Sequence, residues 1–305
     1  MLVLSIAFVV FRSQDIRDWW ALRGYVPSVQ VQKISTETTM TDYSKHLFYV
    51  YNPQIEASSK FNADCTIAEA SIVLGCYNGI GIYVYDVTDP RLDGVQEVTS
   101  AHEMLHAGYD RLSDKERAHI DTLTAREMAK LTDERLRTVI AAYRSRDPSV
   151  VPNELHSILG TEVRSLDPEL ESYYKKYFTD RSAVVALSEK YEQVFTDNQT
   201  KVDRFDAELA LIKSQVDVLE KDLSTRATDL TIDKAELDRL AKSNRVAEYN
   251  AKVPPYNAGV NSYNADLSKY RALIDEYNKK VVERNALTIE QNSLIKSLDS
   301  KAQDL

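Results

Sequence analysis

The chain is short of cysteine, histidine and positive charge, and each shortage closes off a class of function. It has two cysteines in 305 residues, Cys65 and Cys76. No Cys-x-x-Cys spacing is present, so they do not read as metal ligands. The pair either closes a small loop or remains as two buried thiols. Lysine and arginine number 38 against 47 aspartates and glutamates, a formal charge of -9. No basic stripe offsets that charge, which argues against nucleic-acid binding. No serine or cysteine joins a histidine and an acid in a coherent nucleophilic triad. The apolar stretch Met1–Phe11 falls well short of the roughly twenty residues of a membrane-crossing helix. It has no basic stretch before it and no small-residue cleavage site after it, so it does not read as a signal peptide.

Two readings of that N-terminal stretch stand. One is a buried strand or the start of a helix. The other, which we adopt as the expectation, is the tail of a membrane anchor occupying residues 1–25. The polar run Arg12–Asp18 then marks the exit from the bilayer, and Trp19, Trp20 and Tyr25 suit its interfacial zone. This places the protein outside the cytoplasm, held at a membrane by its N-terminus.

Against a total of five histidines, two fall in the run His102-Glu103-Met104-Leu105-His106. On a helix that spacing puts both imidazoles on one face, able to grip one metal ion. Val98, Ala101 and Leu105 share overlapping faces with them, so the rings are partly buried, and buried imidazoles need partners. Glu103 projects beside the pair, where a general base belongs. His46 and His119 have no partner at ligand spacing and read as surface or packed residues. Asp110, four past His106, suits an orienting role better than ligation.

The surroundings place this motif in an α+β segment. Leu47–Tyr51 reads as a strand ending at Asn52-Pro53, Ala70–Tyr77 as a short helix or strand, and Gly79–Val87 as a strand stopped by Thr88-Asp89-Pro90. A strand just before the metal-binding helix can form the rim of a cleft. Its free edge, kept uncluttered by Gly79 and Gly81, would pair with an extended peptide. Beyond it, Ser113 with Glu116 makes a capping box and Asp133 a second cap. Further helices open near Pro152 and Pro168.

After about residue 182 the pattern becomes heptad. Val202, Leu209, Val216, Leu223, Leu230 and Leu237 form one series, with Phe205, Ile212 and Leu219 three residues behind. Arg226 and Asp233 interrupt the second series. Val253, Val260, Leu267, Ile274 and Val281 form another seam, shadowed by Tyr256, Tyr263, Tyr270 and Tyr277. Tyrosine at core-edge positions packs its ring while the hydroxyl reaches water. Pro254-Pro255 marks a break near 242–255, so 182–305 is expected to be an antiparallel coiled-coil hairpin, with a kinked, parallel-dimerising rod as the alternative. Chemistry belongs to residues 26–181.

Two histidines need a third ligand, and the helix from Pro152 offers Glu154, His156 and Glu162. Glu162 sits amid Leu155, Ile158 and Leu159, and a carboxylate on an apolar stripe must be paired or metal-bound. Periodicity therefore favours Glu162. Glu154 and Glu162 lie about 12 Å apart along a helix and cannot both bind one ion.

His102–His106 resembles the zinc-binding helix of the zincin metallopeptidases. Asn153-Glu154-Leu155-His156-Ser157 is similar to the later Asn-Glu-x-x-Ser-Asp pattern of the glutamate-ligand, thermolysin-like group, with Ile158 in place of the aspartate. A Glu-x-x-Ala pattern of lethal-factor-like peptidases is also similar, with Ser157 replacing the alanine. The missing aspartate leaves the orientation of His102 to Thr161 or Glu162. No Gly-x-x-His follows His106, so the three-histidine layout is disfavoured. The resemblance covers residues 79–165 and implies a zinc-dependent endopeptidase with Glu154 as the third ligand. It implies Glu103 as the base that takes a proton from water and returns it to the leaving amine. Tyr109 and Tyr143 are candidate donors to the oxyanion. The expected partners are a peptide or protein substrate, a membrane, and a protein or second copy bound through the coiled coil. A scaffolding protein with a non-catalytic zinc site is the competing function.

Overall fold

The computed structural model describes residues 14–66 and 72–303. Residues 14–22 are helical (α1). Helices α2 (Val29–Glu37) and α3 (Asp42–Val50) precede strand β1 (Gln54–Glu56), helix α4 (Ser58–Asp64) and strands β2 (Gly75–Tyr77) and β3 (Ile82–Tyr85). Then come α5 (Val95–Asp110), α6 (Asp114–Lys130), α7 (Glu134–Arg146), α8 (Val151–Glu162) and α9 (Pro168–Tyr174). Two long helices follow, α10 (Arg181–Lys242) and α11 (Val246–Leu298). The chain divides into two compact units. One runs up to Phe195 and takes in the residues from Ser293 onward; the other is Thr196–Asn292.

In the first unit the sheet order is β1-β3-β2, with β1 parallel and β2 antiparallel to β3. The strand expected to offer a free edge is thus the central one, and both its sides are taken. The edges belong to β1 and β2 instead, each three residues long. Along β3 the side chains divide as the pleat requires. Ile82 and Val84 join the main core with Val31, Leu47, Phe48, Met104 and Leu105. Tyr85 joins a second cluster with Phe61, Val95, Val98 and Leu294.

The expected strand at Leu47–Tyr51 is the end of helix α3. Thr41 caps that helix, its hydroxyl accepting from the Ser44 N–H, and Ser44, Leu47 and Phe48 are buried together. Those positions share one helical face, so tertiary packing overrides the local strand propensity. The expected capping box at Ser113 and cap at Asp133 both form, and the structure adds a cap at Asp167 on α9.

The N-terminal expectation is overturned. Among the described residues no helix is long and apolar enough to cross a membrane, and Met1–Phe11 lies outside the described residues. Asp18, at the end of the run assigned to a membrane exit, is fastened to the domain. Asp18 is buried and accepts from both terminal nitrogens of Arg111, at 2.6 and 2.9 Å. A membrane-anchored, extracytoplasmic placement is therefore withdrawn. Cys65 and Cys76 are joined in a disulfide.

In the second unit α10 and α11 run antiparallel, so the hairpin, rather than the kinked rod, is what forms. Val202, Ile212, Val216, Leu223 and Leu237 are buried along its seam. Arg226, which interrupts the heptads, is compensated by the opposite helix: its guanidinium donates to Asp266 Oδ2 at 2.8 Å and Ser262 Oγ at 3.2 Å. The turn is confined to residues 243–245. Asn244 takes a left-handed conformation (φ 54°), and the Arg245 N–H reaches back to the Leu240 carbonyl at 3.1 Å, the Schellman pattern of a helix end. Pro254 and Pro255 lie inside α11, not at the break. They are exposed, as are Asn250 and Ala251, whose carbonyls lose their helical donors to the prolines, so water can serve them.

Candidate metal centre

Helices α5 and α8 pack against each other, and a glycine makes the approach close. A Cβ on Gly160 would lie 2.5 Å from Leu105 Cδ1 and 2.8 Å from the Tyr174 ring. Met104, Leu105 and Leu159 are completely buried at this contact, each contributing about 1.5–3 kcal/mol of hydrophobic stabilisation. Burying that face of α5 turns His102 and His106 toward the first turn of α8.

There they meet Glu154. His102 Nε2 lies 3.6 Å from Glu154 Oε2, and His106 Nε2 lies 3.8 Å from Glu154 Oε1. The two imidazole rings stand 4.7 Å apart, nearly perpendicular. One donor atom from each of the three residues falls within 4.8 Å of the others. Ligand atoms around a tetrahedral zinc are separated by about 3.4 Å, so small movements close the set. His106 donates its Nδ1–H to Asn153 Oδ1 at 2.9 Å, which leaves Nε2 as the lone-pair nitrogen facing Glu154.

The donors fit a divalent cation. Glu154 Oε2 is buried and lacks a hydrogen-bond partner, a costly state that a cation relieves. Burial works to raise the Glu154 carboxyl pKa, but His102 and His106 in their charged form, with help from Arg146, outweigh it and hold the group below the usual glutamate value. A cation held between the neutral imidazoles would favour the carboxylate in the same way.

The triad opens into a cleft of about 710 Å³ lined by residues of β2, α5, α7 and α8. Glu103 is buried on its wall. Tyr109 and Tyr143 both line the cleft. The Tyr109 hydroxyl donates to Asp121 Oδ1 at 2.7 Å, and burial pushes its pKa up. Tyr143 carries the Arg146 guanidinium 5.6 Å above its ring.

The other candidates lie apart from the triad. Glu162 lines the cleft but pairs with Arg135, 2.7 Å from its Nη2, while Glu192 takes the other side of that guanidinium at 3.2 Å. This is the pairing its apolar surroundings demanded. His156 is completely buried, with Nε2 2.8 Å from the Tyr173 hydroxyl; burial drives its pKa down to about 3. His46 faces Asp18 at 3.3 Å and His119 faces Glu169 at 3.2 Å. Two contributors were not assigned from sequence. Asn153 was visible as the residue before Glu154, yet nothing in its spacing pairs it with His106. Gly75, on β2, carries no sequence signal.

No family model, curated protein or solved structure matches the chain. The site stands on its geometry, and His102-Glu103-x-x-His106 with Glu154 matches the zinc-binding arrangement of the gluzincins.

Proposed function

We propose that this protein is a zinc-dependent endopeptidase. The observation that carries the reading is the convergence of His102, His106 and Glu154 beside a buried glutamate, at the wall of a cleft large enough for a peptide. His102, His106 and Glu154 would hold a zinc ion, which when bound would lower the pKa of a water and polarise the carbonyl to be cleaved. Glu103 takes the proton from the attacking water and delivers it to the leaving amine. Asn153 keeps the His106 ring in its orientation and tautomer. Tyr109 and Tyr143, which both line the cleft, are proposed as donors to the developing oxyanion. The outer edge of β2 is proposed to take the substrate as an added strand.

Residues 26–181 carry the chemistry in this reading, and 182–305 serve as a coiled-coil module that binds a partner protein or a second copy of the chain. A purely structural zinc would want a closed set of four protein ligands. Among the described residues no fourth histidine, cysteine, aspartate or glutamate joins the cluster, which favours the catalytic alternative.

The test is metal content together with turnover. The purified chain should bind one zinc and cleave peptides. Glu103→Gln should keep the zinc and lose the cleavage. Stoichiometric zinc with no hydrolysis across a diverse peptide library would overturn the proposal.

A further inference from the structure

Resting on the peptidase reading above, we infer that Gly75 is a positioning residue for the general base: the missing side chain on the edge strand is the space that Glu103 occupies. A Cβ placed on Gly75 would meet Thr99 Cγ2 at 2.5 Å, Glu103 Cγ at 2.9 Å and Glu103 Oε1 at 3.0 Å. The first two are closer than real Cβ contacts, and Cγ is not the mobile tip of a side chain. Gly75 does not take a left-handed conformation, so backbone freedom does not account for the glycine. What the position requires is the absence of a side chain.

One of the two sides must move when a methyl group is added, and β2 is the side that is held. Gly75, Cys76 and Tyr77 are in register with Val84, Tyr83 and Ile82 of β3. The Tyr85 N–H donates to the Leu74 carbonyl at 2.8 Å, extending the ladder past Gly75. The next residue, Cys76, is bonded to Cys65 at the end of α4. Tied on both sides of Gly75, the strand cannot retreat without losing ladder hydrogen bonds. On the other side, Thr99 and Glu103 project from α5 four residues apart, on one face. Thr99 has a second χ1 rotamer open to it on a helix, but the 2.9 Å contact with Glu103 Cγ remains whichever one it takes, so the pressure passes to the Glu103 side chain.

The strand thus acts as a backstop. It sets the reach of the Glu103 carboxylate into the cleft while His102 and His106, on the neighbouring face of the same helix, keep their own positions. Its loss should separate base function from metal binding.

The experiment is Gly75→Ala in the full chain. Zinc stoichiometry should stay at one, KM for a peptide substrate should stay within about twofold, and kcat should fall about 100-fold, the usual cost of displacing a reacting group by about 1 Å. A crystal structure of the variant should show the Glu103 carboxylate displaced and β2 in place. Should Gly75→Ala fail to fold, Gly75→Ala with Thr99→Ser removes the 2.5 Å clash, keeps the Glu103 contact and is measured with the same readouts. Unchanged kcat in a folded, zinc-loaded variant, or Glu103 undisplaced in its crystal structure, overturns the inference. The structural readout stands even if the parent chain proves to have no peptidase activity, so the failure of the two ideas can be told apart.

Discussion

His106 and Asn153 are joined by a 2.9 Å hydrogen bond that links the α5 metal-binding face to the residue preceding Glu154. The bond ties together two ligands that are far apart in sequence. Asn153 holds one imidazole directly, and its neighbour supplies the carboxylate, so a shift of α8 disturbs both at once.

Replacing Asn153 with alanine should weaken zinc binding by roughly 10–100-fold, the usual effect of removing such an orienting partner. Competition with a chromogenic chelator measures it. Asn153→Asp retains an acceptor for the Nδ1 proton and should lose less. Equal affinities for the parent and the alanine variant would show that the hydrogen bond is incidental.

The two glutamates of α8 should separate cleanly. Glu154→Gln should no longer hold stoichiometric zinc, whereas Glu162→Gln should retain it, because Glu162 is committed to Arg135. Metal analysis after exhaustive dialysis decides the matter. A chelator should abolish peptide hydrolysis by the parent chain, and added zinc should restore it.

The Asp18–Arg111 pair predicts a pH-dependent stability. Burial alone would raise the Asp18 pKa, but Arg111, aided by Gln14 and His46, holds it below the usual aspartate value. A lowered folded-state pKa contributes stability above the unfolded value of about 3.9, and the contribution is lost as pH falls through the folded value. Asp18→Asn leaves the Arg111 charge without its partner and should cost about 3–5 kcal/mol at pH 7. That deficit should shrink below about pH 4. Urea denaturation of both proteins at pH 7 and pH 3 checks the size and the sign.

Gly160→Ala should strike the α5–α8 contact. Its methyl would press on Leu105 Cδ1 and the Tyr174 ring, and overpacking of this kind typically costs 1–3 kcal/mol, about a tenth or more of a domain's stability. Because the same contact presents the histidines to Glu154, zinc affinity should fall alongside the unfolding midpoint. A fall in stability with zinc affinity untouched would mean that the site is held by other contacts.

Much of this architecture was legible in the residues themselves. The spacing of His102 and His106 specifies a shared helical face, because 3.6 residues per turn brings i and i+4 together whatever the fold. The caps at Ser113 and Asp133 are local hydrogen bonds and were read directly. So was the heptad seam. The extended run at Leu47–Tyr51 misled because an apolar pentad suits either a strand or a buried helix, and only its packing against α5 decides. The prolines at 254–255 misled for a related reason: exposure lets water satisfy the carbonyls they orphan, while the real break rests on the left-handed conformation of Asn244.

The choice of third ligand shows where local reasoning ends. Glu154 and Glu162 share one helix, and each is a carboxylate needing a cation. The sequence by itself determined that α8 carries such groups and that α5 carries two imidazoles. Which glutamate meets the histidines and which meets Arg135 follows from how the two helices are set against each other, a matter of Leu105 packing over Gly160. The position of β2 beside Glu103 is likewise tertiary. Hydrogen-bond pairing with β3 and a disulfide to α4 put a residue without a side chain against the general base, and such long-range pairings leave no periodic trace in the chain.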